Sequence, residues 1–300
     1  MDMREASARL ARAFGAAMRI FFLGVGEAFD ETYPNTSLLV SVPGVSGSET
    51  ENGAAHILLD CGFTAPAAYY RYAPRGVEEK GSEDQPGVRG DEQRVIQPDV
   101  IWISHFHGDH FLGLPLMLLR FWEEGRKKEL VIFGPEGVES KVWSAFELAY
   151  PGFRERIDFP LFFLDVEPLM QGELFGVRWA TAANAHSASA PCMTLRLDHA
   201  GNSMVYSGDG RPTSASGQLA QGADLLVHEA YALEGEPPGH GTVAGCLELA
   251  RGTGTQRLAL VHVNRNVRAE RAGEIRGLLD TVEGFSAMMP EPGAVVVLES

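Results

Sequence analysis

The residues best able to do chemistry stand in one short stretch, Ser104-His105-Phe106-His107-Gly108-Asp109-His110. Three imidazoles and a carboxylate are donors suited to a divalent ion. The residues before them, Val100-Ile101-Trp102-Ile103, are all apolar, the pattern of a short strand buried on both faces. In an extended strand end, His105 and His107 point the same way and can grip one metal. Gly108 lets the chain turn sharply and aim Asp109 and His110 at a second. A histidine-rich turn with no ligand role would suit one histidine, not this pattern. Further donors follow at the ends of apolar runs: His186 after Val177–Asn184, Asp209 in Tyr206-Ser207-Gly208-Asp209-Gly210, and His262 after Leu258-Ala259-Leu260-Val261. Any one of these alone would more often be structural. Glu229 closes Leu226-Val227-His228-Glu229, and His240 precedes a helix start at Thr242. On the plain alternative, Glu229 ends a strand in solvent and His240 merely leads into that helix.

These residues need a scaffold, and the chain supplies alternating strands and helices. The 1–17 segment reads as a short N-terminal extension, a helix with Met3, Ala6, Leu10 and Phe14 on one side. A first strand over 18–26 closes in a glycine turn. Further strands are expected over 38–40, 55–62, 130–133, 161–166, 177–184 and 203–207. Helices are expected over 114–127, ending in a basic turn, and over 138–150. His56 stands alone near a strand start and reads as structural. Segment 73–96 is rich in Glu, Arg, Gly and Pro, so it reads as a solvated surface insertion. No linker or repeat divides 18–300, which reads as one domain. Periodicity alone gives a mixed α/β (α+β) class.

Composition bounds the function. The 300 residues are 45% hydrophobic and 22% charged, ordinary for a soluble globular protein. A net charge of −15 opposes a long nucleic-acid footprint, but not one anionic group held at a cluster of cations. Cys61, Cys192 and Cys246 are far apart and odd in number, which fits reduced thiols in a cytoplasmic protein. No run reaches membrane-spanning length, and Arg19, Asp2 and Glu5 argue against a signal peptide.

His-x-His-x-Asp-His after a buried strand resembles the signature of the metallo-β-lactamase-fold hydrolases. The later order, His186, Ser-Gly-Asp ending at Asp209, then His262, is similar to that superfamily's ligand order. The resemblance implies a four-layer αββα sandwich and a dinuclear centre. It places His105, His107 and His186 around one metal, and Asp109, His110 and His262 around the other, with Asp209 bridging. It also implies that Asp60, before Gly62 at a strand end, lies behind the metal loop and orients a ligand. Zinc suits a cysteine-free donor set, and manganese and iron remain open. Two such ions, about 3.5–4 Å apart, can activate a bridging water and neutralise a developing oxyanion.

His-Glu-Ala, a variable loop and a His-x-Thr helix start resemble the narrower ribonuclease Z-like branch. Pro34-Asn35-Thr36-Ser37 and the Gly-Pro-x-Gly of 134–137 resemble it too. The branch implies that His240 donates a proton to the leaving group and that Glu229 orients it, with Asp109 serving both metal and catalysis. There is one departure. Bacterial transfer-RNA-processing members carry an arm after the His186 equivalent, whereas residues 187–208 here read as strand and turn. The expectation is therefore a phosphodiesterase acting on a small anionic substrate rather than nucleic acid, with no membrane partner; a homodimer is allowed. The alternatives are a sulfate ester or lactone hydrolase, a transfer-RNA 3′-end endonuclease, and a metal-binding or redox protein without turnover. His107 argues against the di-iron redox form, which uses glutamate there. A glutathione-thioester hydrolase would need a helical domain beyond the short tail after His262.

Overall fold

The computed structural model describes residues 17–45, 53–76 and 94–299. Residues 1–16 of the expected helix and most of the 73–96 insertion lie outside them.

In the first half of the chain, strands β1 (Met18–Gly24), β2 (Ser37–Pro43) and β3 (Ala54–Leu59) form an antiparallel meander. Strands β4 (Val100–Trp102), β5 (Leu130–Pro135) and β6 (Leu161–Val166) extend it in parallel. The second half repeats the plan. Antiparallel β7 (Gln171–Leu174), β8 (Val177–Asn184), β9 (Cys192–His199) and β10 (Asn202–Tyr206) are followed by parallel β11 (Leu225–Glu229), β12 (Arg257–Val261) and β13 (Ser286–Met288). Strand β14 (Val295–Leu298) returns to pair with β1 in the first sheet. Among the described residues the result is two seven-stranded sheets.

Period-two alternation explains how the sheets stack. Ile20, Phe22, Leu38, Val40 and Trp102 from one sheet meet Leu195, Met204, Tyr206, Val227 and Ala259 from the other. The opposite faces are also apolar and take helices. Leu39, Leu58, Ile101 and Ile132 pack under α1 (Ala65–Tyr72), α3 (Leu114–Glu123) and α4 (Val138–Ala149). Val205, Leu226, Leu258 and Leu260 pack under α6 (Val243–Thr253) and α7 (Arg265–Asp280). Two shorter helices, α2 (Gly108–Phe111) and α5 (Ser214–Leu219), lie in connections. The layers run αββα, a metallo-β-lactamase fold.

One boundary differs from the sequence expectation. Helix α3 ends at Glu123 rather than continuing to residue 127. Gly125 turns the chain at φ 74°. Arg126, expected in the basic turn that closes this helix, is buried and donates to the Lys128 and Glu129 carbonyls and to Gln97 Oε1. Satisfying those backbone acceptors outweighs another helical turn.

Candidate metal centre

The carboxyl-terminal strand ends of both halves meet at one edge of the sandwich, where ligands of twisted α/β sheets generally bind. Residues 104–110 leave β4, His186 follows β8, and Asp209 follows β10. Glu229 ends β11 and His262 follows β12. Asp60 and His262 have left-handed backbones, φ 59° and 54°, which swing their side chains inward at the strand ends. Such close approach also requires glycine. A Cβ on Gly62 would lie 1.8 Å from the Asp109 carbonyl oxygen. One on Gly208 would meet the side chains of Ser104 and Cys192, each at 2.7 Å.

The donors form two groups. Ligand atoms of His105, His107 and His186 lie within 4.8 Å of one another, and so do those of Asp109, His110, Asp209 and His262. Asp209 stands between them: Oδ2 is 3.4 Å from His262 Nε2, 3.9 Å from His105 Nε2 and 4.0 Å from His186 Nε2, while Oδ1 is 3.3 Å from His110 Nε2. Asp109 Oδ2 lies 3.3 Å from His110 Nε2 and 3.2 Å from His262 Nε2.

The far side of several rings is already engaged, which leaves one nitrogen facing inward. His110 Nδ1 donates to Asp60 Oδ2 at 2.7 Å. His186 Nδ1 donates to the Gly239 carbonyl at 2.7 Å. His105 Nδ1 lies 3.0 Å from Ser104 Oγ. Asp60 is itself clamped by the Ser104 amide, the Ser104 hydroxyl and the Tyr206 hydroxyl, at 2.7, 2.8 and 2.6 Å. Ser104 and Tyr206 escaped the sequence reading. Their adjacency to the motif and to Ser-Gly-Asp was the only available signal. Cys192, also unassigned, accepts the Asp209 amide at 3.2 Å.

The donor set fits divalent cations. His105 Nε2, His110 Nε2 and Asp209 Oδ1 are buried and have no hydrogen-bond partner among the described residues. Burial works to keep His110 neutral, yet Asp209, Asp109 and Asp60 hold its pKa well above the ordinary histidine value. Burial likewise opposes a rise at His262, but Asp209 and Asp109 push it up to about 9. Burial would raise Asp209, and His110 and His262 hold it far down instead. The cluster draws positive charge inward.

Beside it, Glu229 is buried and accepts four donors. Oε1 takes His240 Nδ1 at 3.2 Å, the Gly241 amide at 2.8 Å and the Gly210 amide at 2.9 Å. Oε2 takes the Tyr231 amide at 3.0 Å. A nitrogen of His240 lies within 4.8 Å of ligand atoms of His186 and Asp209. His56, by contrast, lies in β3, four residues before Asp60 and apart from both groups of donors.

The profile of the β-lactamase superfamily domain matches residues 55–263. The chain belongs to that superfamily, as a hydrolase of the metallo-β-lactamase fold. It is 27% identical to a ribonuclease Z from Methanothermobacter thermautotrophicus, over 82% of this chain and 87% of the relative. Among solved structures it resembles YhfI, a metallo-β-lactamase fold protein from Bacillus subtilis, with a TM-score of 0.71 and 16% identity over 94% of this chain and 99% of that one. It also resembles the short form of human tRNase Z, with a TM-score of 0.66 and 18% identity over 93% and 98% of the two chains. No helix among the described residues is long and apolar enough to cross a membrane.

Proposed function

We propose that this protein is a metal-dependent phosphodiesterase, and that His105, His107, Asp109, His110, His186, Asp209 and His262 hold two divalent ions. The observation that carries the reading is the Glu229–His240 pair beside the donor cluster. Two ions held there, zinc suiting the donors best, would supply Lewis acidity to activate a water and offset charge on phosphoryl oxygens. The chain's own residues do the rest. Glu229 fixes the tautomer and orientation of His240 by accepting from Nδ1. That leaves Nε2 to deliver a proton to the departing alkoxide. Water adds to phosphorus and gives up a proton to the Asp109 carboxylate, the P–O bond to the leaving group breaks, and the leaving oxygen takes the His240 proton. An alkoxide needs that proton, and general-acid help of this kind is worth about 10²–10⁴-fold.

The relatives named for ribonuclease activity weigh toward a nucleic-acid or nucleotide diester and against a substrate with no nucleotide at all. Residues 187–208 weigh against long RNA contacts there, since they hold only the β9–β10 hairpin and a short lead-in. A diester carrying a short nucleotide reconciles the two. The test is metal analysis of the purified protein followed by kcat/KM on bis(p-nitrophenyl) phosphate, an aryl sulfate, a lactone and a precursor transfer RNA. Highest turnover on the phosphodiester supports the reading. A preference for sulfate or lactone overturns it, and efficient 3′-end cleavage of the transfer RNA would restore the endonuclease alternative.

A further inference from the structure

On the His240 side of the centre, three residues that neither the donor cluster nor the proton donor uses form a continuous arc. Tyr231 stacks on the His240 ring, with centroids 4.5 Å apart and planes 21° apart. Its carbonyl accepts the Asn264 amide at 3.0 Å, which brings the next residue, Arg265, alongside. Arg265 Nη1 bonds Glu27 Oε1 at 2.8 Å, and the guanidinium carbon lies 5.6 Å from the Phe29 ring centroid. Glu27 is buried, and its other oxygen takes the Phe29 amide at 2.7 Å. One buried carboxylate thus brackets both rim residues in place.

Neither rim residue is there for packing. Phe29 leaves 73% of its surface exposed, an unfavourable state for so large an apolar ring. Arg265 Nε and Nη2 donate to nothing among the described residues, although Nη1 is held by Glu27 and the residue lies three positions after His262. A ring open on its surface and a guanidinium with donors to spare match a base with a sugar-phosphate attached. Stacking on an aromatic ring tolerates any base, because every base has a π-face. A guanidinium supplies forked donors to phosphate oxygens.

We propose that Phe29, Arg265 and Tyr231 form the leaving-group subsite and that it takes a nucleoside 5′-phosphate, with the base on Phe29 and the phosphate on Arg265. The inference rests on the reading of His240 as proton donor: the group lying against Tyr231 is the one whose oxygen receives that proton. A methyl or other small alkyl leaving group would leave the arc unused.

The test compares two diesters with alkoxide leaving groups, a 5′-phosphorylated thymidylyl dinucleotide and the methyl ester of thymidine 5′-phosphate. The wild-type ratio of their kcat/KM values should favour the dinucleotide. Phe29→Ala and Arg265→Gln should each lower that ratio roughly tenfold, about what one base stack contributes. Calorimetry with a non-hydrolysable methylphosphonate dinucleotide gives a readout free of turnover: Phe29→Ala should weaken Kd by a similar factor. An unchanged ratio and an unchanged Kd in both variants would overturn the subsite. If neither diester is turned over, the phosphodiesterase reading fails instead, and the calorimetric comparison still decides the subsite.

Discussion

Histidine rings are buried both at the strand ends and within β3, and the difference between these two places separates a site from a core. At the strand ends, His105, His110 and His262 keep a ring nitrogen without a hydrogen-bond partner among the described residues. His56 in β3 does so with both nitrogens. The symptom is shared, but the surroundings are not. The first group faces Asp109 and Asp209, whose carboxylates raise the pKa of His110 and His262 against the effect of burial. Among the described residues the carboxylate acting on His56 is Asp99, and it is occupied by Lys128 Nζ at 3.2 Å and by the His56 amide at 2.8 Å. There burial wins and pushes the imidazole down to about 4. Orphaned nitrogens do not define a metal centre; several donors converging with carboxylates do.

The sharpest way to break this contrast is at the carboxylate shared by both donor groups. Asp209→Ala should remove most bound metal and reduce hydrolysis to background, since one side chain faces four imidazoles. Elemental analysis showing full occupancy in that variant would sink the bridging role. His240→Ala should retain the metals yet lose about 10²–10⁴-fold in kcat on a diester with an alkoxide leaving group. The loss should shrink for p-nitrophenolate, which barely needs a proton, and Glu229→Gln should follow the same pattern more mildly. Equal losses on both substrates would remove His240 from proton transfer. Behind the metal loop, Asp60→Asn should weaken metal affinity about 10–100-fold by loosening His110, with a lower Tm from the disturbed Ser104 and Tyr206 bonds. Wild-type affinity in a metal titration would show that His110 needs no such partner.

How much of this was legible in the sequence depended on the range over which each signal acts. The motif at residues 105–110 was legible because its chemistry and its buried strand are contiguous. His186, Asp209 and His262 were legible only by order, each at the end of an apolar run. Ser104, Tyr206 and Cys192 were not, because what they do depends on long-range packing; the Tyr206 hydroxyl reaches Asp60 from the other sheet. Tyr231 looked like a loop residue until its ring was seen on His240. Helix α7 escaped for a different reason: only Arg268, Ile275 and Leu279 on it are buried, too thin a stripe to read as amphipathic. Strand β14 was missed because it pairs with β1 from the far end of the chain. The failed helix end at 123 came from the buried arginine of the expected basic turn.

The smallest expected effect falls on the other side of the comparison. If His56 is a core residue held neutral by burial, its cost should appear only in acid. Its folded pKa, about 4, lies below the ordinary value of 6.5, so between those values the unfolded chain binds a proton that the folded chain refuses. Stability is therefore fully present above about pH 6.5 and is lost as pH falls toward 4, by up to about 3 kcal/mol from this residue. His56→Leu removes the titrating group and fills the same apolar environment. Urea unfolding of wild type and variant at pH 7.5 and pH 4.5 isolates the effect, because groups that titrate far from His56 contribute alike to both proteins. The variant should gain on wild type by about 2–3 kcal/mol between the two pH values. A constant difference would mean that His56 accepts a proton in the folded protein. It would then belong with the charged rings of the centre rather than with the core.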